Sequence, residues 1–170
     1  ITFKKLEKVG KNFNLNILNI GFGNIKQETE MFDYVKDDGS PRASLYKDVI
    51  EKQYSSKSIA HKVKSLTIDE FIKDNNINHI YFLKIDVEGN ELNVLRGAKS
   101  LITENKIKII QFEFNYTNII SRTFLSDFFD ELNNYTMYRV LRNGMAKIDY
   151  KAINEIYQYQ NIVALNNKFY

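Results

Sequence analysis

Two apolar segments separated by one helical segment constrain the fold of this 170-residue chain more than any other feature. His79–Ile85 and Ile107–Phe114 are apolar runs bounded by polar residues, which is typical of strands buried on both faces of a parallel sheet. Between them, Glu91–Glu104 carries apolar side chains at helical spacing. A strand, a helix and a second strand in this order form the βαβ unit, so we predict an α/β fold.

Further elements are predicted on both sides of this unit. Phe3, Leu6 and Val9 recur at helical spacing among charged residues, which indicates a surface helix that packs one apolar stripe. Thr67 stands three residues before Glu70, the spacing of a capping box at the start of a helix. The other predicted elements are a helix at Phe124–Leu132 and strands at Leu15–Ile20, Thr29–Val35, Tyr135–Leu141 and Gln158–Leu165. The last two strands should pair antiparallel.

The composition excludes several classes of protein. There is no cysteine, so neither a disulfide framework nor a thiolate zinc site can form. No apolar run approaches the roughly 20 residues needed to cross a bilayer. The 24 Lys and Arg residues are scattered among 21 Asp and Glu residues, which argues against a nucleic-acid surface. We therefore expect a cytoplasmic protein that binds neither nucleic acid nor membranes and folds as a single domain over residues 1–170.

Acidic and amide side chains follow both strands of the βαβ unit. Asp86, Glu88 and Glu91 come directly after the first strand, and Glu113 and Asn115 lie at the end of the second. Ligands of open α/β sheets bind beyond the carboxyl ends of the strands, so these residues are candidates for a functional site. Carboxylates buried there are unfavourable unless a cation, hydrogen-bond donors or a proton meets them.

A purely structural interpretation of the same residues stays open. Glu88 and Glu91 could cap the first turn of the following helix, where negative charge suits the helix dipole. Lys84 or Arg96 could then neutralise Asp86. The glutamate at the end of the second strand is harder to explain in this way, because a strand end needs no cap.

The segment Lys84–Ala98 resembles the signature of the FkbM family of S-adenosylmethionine-dependent methyltransferases. Val63–Phe71, Ile109–Glu113 and Gln160–Leu165 are similar to further segments of the family, and Ala43–Leu45 is similar to its small-residue and serine segment. The resemblance implies a Rossmann-like class I methyltransferase sheet with the strand order 3-2-1-4-5-7-6.

The opening motifs of the family have no counterpart in the chain. Such methyltransferases begin with a glycine-rich turn and an acidic strand end that hold the donor, whereas the chain opens at Ile1 with a segment that resembles the helix after them. We therefore expect a methyltransferase-like domain truncated at its N-terminus, without the first two strands of the sheet. In the numbering of the family sheet, strand 3 would then pair directly with strand 4, the strand that contains Leu83. Alternatively, another copy of the chain would cover the open edge at Leu83 in a homo-oligomer.

The resemblance implies that the intact protein transfers a methyl group from S-adenosylmethionine to a hydroxyl of a sugar, glycan or other natural product. It assigns to the site Asp86, Gly21 and Ser44 at the donor, Glu88 and Glu113 at the reacting centre, and Asn115 and Glu91 at the acceptor. Asp86 would also line the reacting centre. Glu113 is the predicted base or the group that orients the acceptor.

Three alternatives stay open beside this prediction. Asp86, Glu113 and Asn115 carry the oxygen ligands that magnesium takes in metal-assisted O-methyltransferases. A non-catalytic remnant or binding module would keep the outline of the fold without a complete donor site, and would bind S-adenosylmethionine weakly or not at all. A nucleotide-sugar-binding transferase is less favoured, because no phosphate-binding loop is visible.

Overall fold

The computed structural model describes residues 2–11, 13–35, 39–40 and 42–170. The helices in this part of the chain are α1 (Thr2–Gly10), α2 (Ile68–Asp74), α3 (Glu91–Arg96), α4 (Lys99–Thr103), α5 (Thr117–Ser121) and α6 (Leu125–Glu131). The strands are β1 (Gly21–Phe22), β2 (Gln27–Tyr34), β3 (Ser58–Leu66), β4 (Ile80–Ile85), β5 (Ile107–Phe114), β6 (Tyr135–Leu141), β7 (Gly144–Lys147) and β8 (Gln160–Asn166). None of these helices has the length and hydrophobicity needed to span a lipid bilayer.

The strands form two mixed sheets. The larger has the order β4-β5-β8-β6-β7, in which β4 and β5 are parallel and the other neighbours are antiparallel. The smaller has the order β1-β3-β2, with β1 parallel and β2 antiparallel to β3. This arrangement confirms the predicted α/β class and the antiparallel pairing of the last two predicted strands.

The βαβ unit is present at the position that the sequence predicts. Lys84 of β4 is the partner of Gln111 in β5, and Ile85 is the partner of Phe112. The two strands therefore run in the same direction and end at the same edge of the larger sheet. Polar residues that follow β4 and those at the end of β5 are brought together there.

The core lies between the larger sheet and helices α2, α3, α4 and α6. Phe112 stacks on Phe128 of α6 with the ring centroids 4.3 Å apart, and Phe114 meets the same ring edge-on. Thr67 caps α2 as predicted, because its hydroxyl accepts the Glu70 N–H while the Glu70 carboxylate accepts the Thr67 N–H. The packing of these rings and the cap of α2 hold the helices against the larger sheet. This packing positions the strand ends that carry the candidate site.

The predicted helix over Glu91–Glu104 is interrupted at Gly97. A Cβ atom at this position would lie only 2.0 Å from the carbonyl oxygen of Gly23, so the backbone after β1 approaches the end of α3 more closely than a side chain permits. The absence of a side chain at Gly97 therefore allows the chain that follows β1 of the smaller sheet to contact the end of α3. The helix α3 ends directly before Gly97, and α4 begins two residues after it.

The first third of the chain departs most from the sequence predictions. The segment Leu15–Ile20 is irregular, and the predicted strand is instead the short β1 that follows it. The apolar stripe of α1 is only partly covered, since Leu6 and Val9 are half exposed. β3 has no counterpart among the predicted strands, because it pairs charged residues across the sheet, such as Lys64 with Glu28, in place of an apolar alternation.

β4 lies at a free edge of the larger sheet within the described structure. The expected direct pairing of the family's strand 3 with its strand 4 is wrong. β1, which takes the place of the family's strand 3, pairs with β3 and not with β4, which takes the place of strand 4. Tyr81 and Phe82 of β4 are exposed, and Leu83 lines a cavity beside this edge. The covering of the edge by another copy of the chain stays a prediction.

Candidate functional site

Four carboxylates meet beyond the carboxyl ends of β4 and β5. Asp86, Glu88 and Glu91 lie in or directly after the turn from β4 to α3, and Glu113 lies near the end of β5. Burial, together with the negative charges of Glu113, Asp86 and Glu91, raises the pKa of Glu88 to about 7. These four residues, named here the acidic cluster, therefore share one electrostatic environment.

Glu88 occupies a backbone conformation that few residues adopt. Its φ angle is 50°, in the left-handed region, and Gly89 follows with a φ angle of 104°. The Ser44 hydroxyl donates a 2.7 Å hydrogen bond to the Glu88 carbonyl oxygen and so holds this turn. The half-buried Glu88 side chain is partly protonated at neutral pH, since its pKa is about 7. A carboxyl group in this state can take up a proton from a reacting group.

Ser44 is enclosed beside the Glu88 turn. It is only 1% exposed, and besides donating to Glu88 its hydroxyl accepts the Tyr46 N–H at 3.1 Å. The Ser44 hydroxyl thus supports the Glu88 turn. Its contact with the donor stays a prediction.

Glu91 has a structural role, but it holds the turn before α3, whereas the alternative interpretation predicted a cap on the first turn of the helix. It is 1% exposed, and its carboxylate accepts the N–H groups of Val87 at 3.2 Å and of Gly89 at 3.1 Å. Burial raises the pKa of Glu91, and these hydrogen bonds act in the opposite direction. The enclosed Glu91 side chain therefore fixes the turn, and its contact with an acceptor stays a prediction.

Asp86 is accessible although it is paired. Lys84 forms the ion pair with it that the structural interpretation predicted, whereas Arg96 pairs with Glu131 at 2.9 Å. The Lys84 and Asp86 side chains both remain largely exposed, so the pair is open to exchange with a ligand. Asp86 can contact a bound molecule without breaking a buried interaction.

A cavity of about 540 Å³ lies along the free edge of β4 and extends to the acidic cluster. Gly21 and Asp86 line it, which brings two of the predicted donor-binding residues to one place. Its walls are mainly apolar, and the rings of Phe22 and Phe71 meet edge-on in them with centroids 5.5 Å apart. A cavity of this size and lining can accommodate a small organic molecule.

Glu113 is held by two hydrogen-bond donors. The Tyr159 hydroxyl donates to one carboxylate oxygen at 2.8 Å, and the Asn115 amide donates to the other at 3.4 Å. The bond to Glu113 raises the pKa of Tyr159, which keeps this hydroxyl protonated. Glu113 itself is 8% exposed, whereas Tyr159 is 64% exposed, so the carboxylate is buried beneath an accessible side chain.

Asn115 supports Glu113 from the inside of the protein. The side chain is 3% exposed, and its carbonyl oxygen accepts the N–H and the hydroxyl of Thr117, both at 2.8 Å. Both ends of the amide are occupied within the protein, and the contact of Asn115 with an acceptor stays a prediction. Asn115 positions the Glu113 carboxylate.

The structure offers no metal centre among the described residues. In that part of the chain no group of three or more His, Cys, Asp or Glu side chains is placed to hold a metal ion. The magnesium alternative for Asp86, Glu113 and Asn115 therefore finds no support.

Tertiary structure adds residues to the site that no local motif indicates. Tyr34, Tyr54 and Tyr116 form a group with ring centroids 5.9 and 6.1 Å apart, and the hydroxyls of Tyr54 and Tyr116 lie 2.8 Å from each other. The Arg42 guanidinium lies over the Tyr54 ring, 5.1 Å from its centroid. We name these four residues the tyrosine–arginine cluster. Their separation along the sequence explains why sequence reasoning missed them.

The structural role of Glu91 leads to a first prediction. Glu91→Ala should lower the free energy of unfolding by about 2–4 kcal/mol, because it leaves two buried N–H groups without an acceptor and opens a cavity. Glu91→Gln keeps one acceptor oxygen and should lose about 1 kcal/mol or less. Urea unfolding followed by circular dichroism at pH 7 measures both. Equal losses in the two variants would show that the N–H groups of the turn do not depend on this side chain.

The chain matches a family of known proteins. The Methyltransferase FkbM domain family matches residues 5–143, which is more than half of the chain and includes the whole βαβ unit. No curated protein and no solved structure was found to match the chain. The match confirms the resemblance predicted from the sequence. The chain therefore belongs to the FkbM methyltransferase family.

Proposed function

We propose that the protein is an S-adenosylmethionine-dependent O-methyltransferase that acts on a hydroxyl of a sugar, glycan or related natural product. Membership of the FkbM family supports methyl transfer. The observation that most supports transfer to a hydroxyl is Glu88, a half-buried carboxyl with a pKa of about 7 at the carboxyl ends of the strands. A base titrating near neutral pH is suited to removing a hydroxyl proton.

The cavity beside β4 fits the proposed donor. Its volume of about 540 Å³ lies within the range of small-molecule sites, and the Phe22 and Phe71 rings offer apolar surface for a flat adenine ring. Asp86 supplies a carboxylate that can accept hydrogen bonds from ribose hydroxyls or face a positive charge. Backbone at Gly21 would complete the contacts. When bound, S-adenosylmethionine supplies an electrophilic methyl group on a positively charged sulfur.

The residues of the chain act on the acceptor. Glu113, held in place by Tyr159 and Asn115, accepts a hydrogen bond from the acceptor hydroxyl and so directs its oxygen. Glu88 takes the proton that this hydroxyl loses, because it is the carboxyl of the cluster with a pKa near neutrality. We thus assign base catalysis to Glu88 and orientation of the acceptor to Glu113.

The orienting role of Glu113 is tested with Glu113→Gln. The amide replaces one acceptor oxygen by a donor that faces the donors Tyr159 and Asn115, so the acceptor should be misaligned and methyl transfer should fall about 10-fold. Affinity for S-adenosylmethionine, measured by calorimetry, should be unchanged. Methyl transfer is measured with radiolabelled S-adenosylmethionine and a panel of methyl glycosides.

Three other results would contradict parts of this proposal. Normal methyl transfer by Glu113→Gln would show that Glu113 does not orient the acceptor. A loss of affinity for S-adenosylmethionine would place Glu113 in the donor site. Tyr159→Phe is the matched control, since it removes one hydroxyl that holds Glu113 and should have the smaller effect. If the wild-type protein gives no heat with S-adenosylmethionine, the non-catalytic alternative is favoured.

A further inference from the structure

The tyrosine–arginine cluster lies beside Glu88. Ser44, two residues after Arg42, donates its hydrogen bond to the Glu88 carbonyl oxygen. Tyr116 follows directly after Asn115, which holds Glu113. The pKa of Glu88, raised mainly by burial, is partly lowered by the positive charge of Arg42. The tyrosine–arginine cluster is therefore linked to Glu88 by the Ser44 hydrogen bond and by the charge of Arg42.

The backbone around Arg42 is anchored on both sides. The Asp33 carboxylate accepts the N–H groups of Gly39 at 2.8 Å and of Ser40 at 3.1 Å. The Ser40 hydroxyl accepts the Arg42 N–H at 3.0 Å, and Ser44 makes two backbone hydrogen bonds to β2 of 2.7 and 3.0 Å. Stacking on Tyr54 then fixes the guanidinium itself. Arg42 is therefore held in place before any ligand arrives.

The charges of the site are divided between its interior and its rim. The buried Glu91 and Glu113 and the half-buried Glu88 supply the interior, whereas Arg42 is exposed at the rim, as is Asp86 with its partner Lys84. Within the described ranges, no carboxylate lies at ion-pair distance from the Arg42 guanidinium. A guanidinium presents five N–H donors in a plane that matches carboxylate and phosphate groups.

We propose that the acceptor is an anionic sugar, in which a phosphate or carboxylate binds Arg42 while a hydroxyl faces Glu88. This inference rests on the proposed function and extends it to the class of acceptor. The carboxylates of the interior repel an anion, so the charged group can bind only at the rim. The acceptor is thereby oriented, with its neutral hydroxyl end toward the reacting centre. Arg42 acts as a residue that determines specificity and takes no part in the proton transfer.

Binding of inorganic phosphate tests the rim site without methyl transfer. Calorimetry at constant ionic strength should show saturable phosphate binding to the wild-type protein, at least 10-fold weaker in Arg42→Ala. Arg142→Ala is the matched control, because Arg142 is an exposed arginine in the turn between β6 and β7 and should leave phosphate binding unchanged. Absence of saturable binding, or equal binding by Arg42→Ala, overturns the proposal.

Three sugars then distinguish the two kinds of anion. Glucose 1-phosphate carries a phosphate, methyl glucuronoside a carboxylate, and methyl glucoside neither. We expect at least one anionic sugar to bind 10-fold more tightly than the neutral one, and this preference to disappear in Arg42→Ala. No preference for either anionic sugar overturns the proposal. Phosphate binding without any binding of S-adenosylmethionine would instead contradict the proposed function and leave the anion site standing.

Discussion

Glu88→Gln should lower methyl transfer at pH 8 by about 100-fold or more, which is the usual contribution of a positioned general base. The amide keeps the shape of the side chain but cannot take up the acceptor proton. Because the base acts in its deprotonated form and the pKa of Glu88 is about 7, wild-type activity should rise with pH below 7 and level off above it. The variant should lose this dependence. Profiles of kcat/KM between pH 5.5 and 9 measure both effects.

The free energy of unfolding of Glu88→Gln tests whether folding raises the pKa of the Glu88 carboxyl. Glu88 has an ordinary pKa of 4.5 in the unfolded chain and about 7 in the folded protein. The folded state therefore binds the proton more tightly, and stability falls as pH rises from about 4.5 to 7. Glu88→Gln should be about 1–2 kcal/mol more stable than wild type at pH 8, after allowance for partial exposure, and equally stable at pH 4.

Two results would contradict the assignment of the base to Glu88. An unchanged pH profile in Glu88→Gln would assign the proton transfer to another group, and Glu113 would be the next candidate. Lower stability of the variant at pH 8 would show that the charged carboxylate is favoured in the folded state. A stable but inactive variant would separate catalysis from folding, since the substitution would then remove activity without disturbing the structure.

The βαβ unit could be predicted because its information is local. Two apolar runs and the helical spacing between them define three elements within about 40 residues, and parallel strands necessarily end at one edge. That rule alone brings Asp86, Glu88 and Glu113 to a common site. The rule does not predict whether each side chain points into the protein or toward solvent.

The roles of the other predicted residues depend on contacts that spacing does not reveal. Glu91 turns inward because the N–H groups of Val87 and Gly89 need an acceptor, and this need arises only from the left-handed turn before it. Ser44 lies 44 residues before the carbonyl oxygen that it contacts. Polar residues that look suited to a ligand are thus used to build the turn on which the candidate base stands.

The residues of the tyrosine–arginine cluster could not be predicted as a group. Tyr54 and Tyr116 are 62 residues apart in sequence, and neither belongs to a motif. They meet because the small sheet places the end of β2 and the π-helical turn Val49–Gln53 beside the chain that leaves β5. The resemblance to a family predicts the place of the reacting centre, whereas the proposed acceptor side of the site depends on the tertiary structure.

Gly97→Ala should be the most damaging of the glycine substitutions, with a loss of about 3 kcal/mol in the free energy of unfolding. The added methyl group would stand 2.0 Å from the Gly23 carbonyl oxygen, and a backbone atom cannot rotate away as a side chain does. Helix propensity alone would favour alanine by up to about 1 kcal/mol, so any destabilisation reflects the contact and not the helix.

Gly21→Ala is the matched control for this prediction. It makes the same change two residues from Gly23, but the nearest atom to its new Cβ, the Lys64 carbonyl oxygen, lies at 3.6 Å, an ordinary contact. Its stability should change by less than about 0.5 kcal/mol, a range typical of substitutions away from special features. Urea unfolding of both variants measures the difference. If Gly97→Ala is as stable as Gly21→Ala, the backbone at Gly23 can withdraw from α3 without a loss of stability. The close contact would then not hold the smaller sheet to the helices that carry the acidic turn.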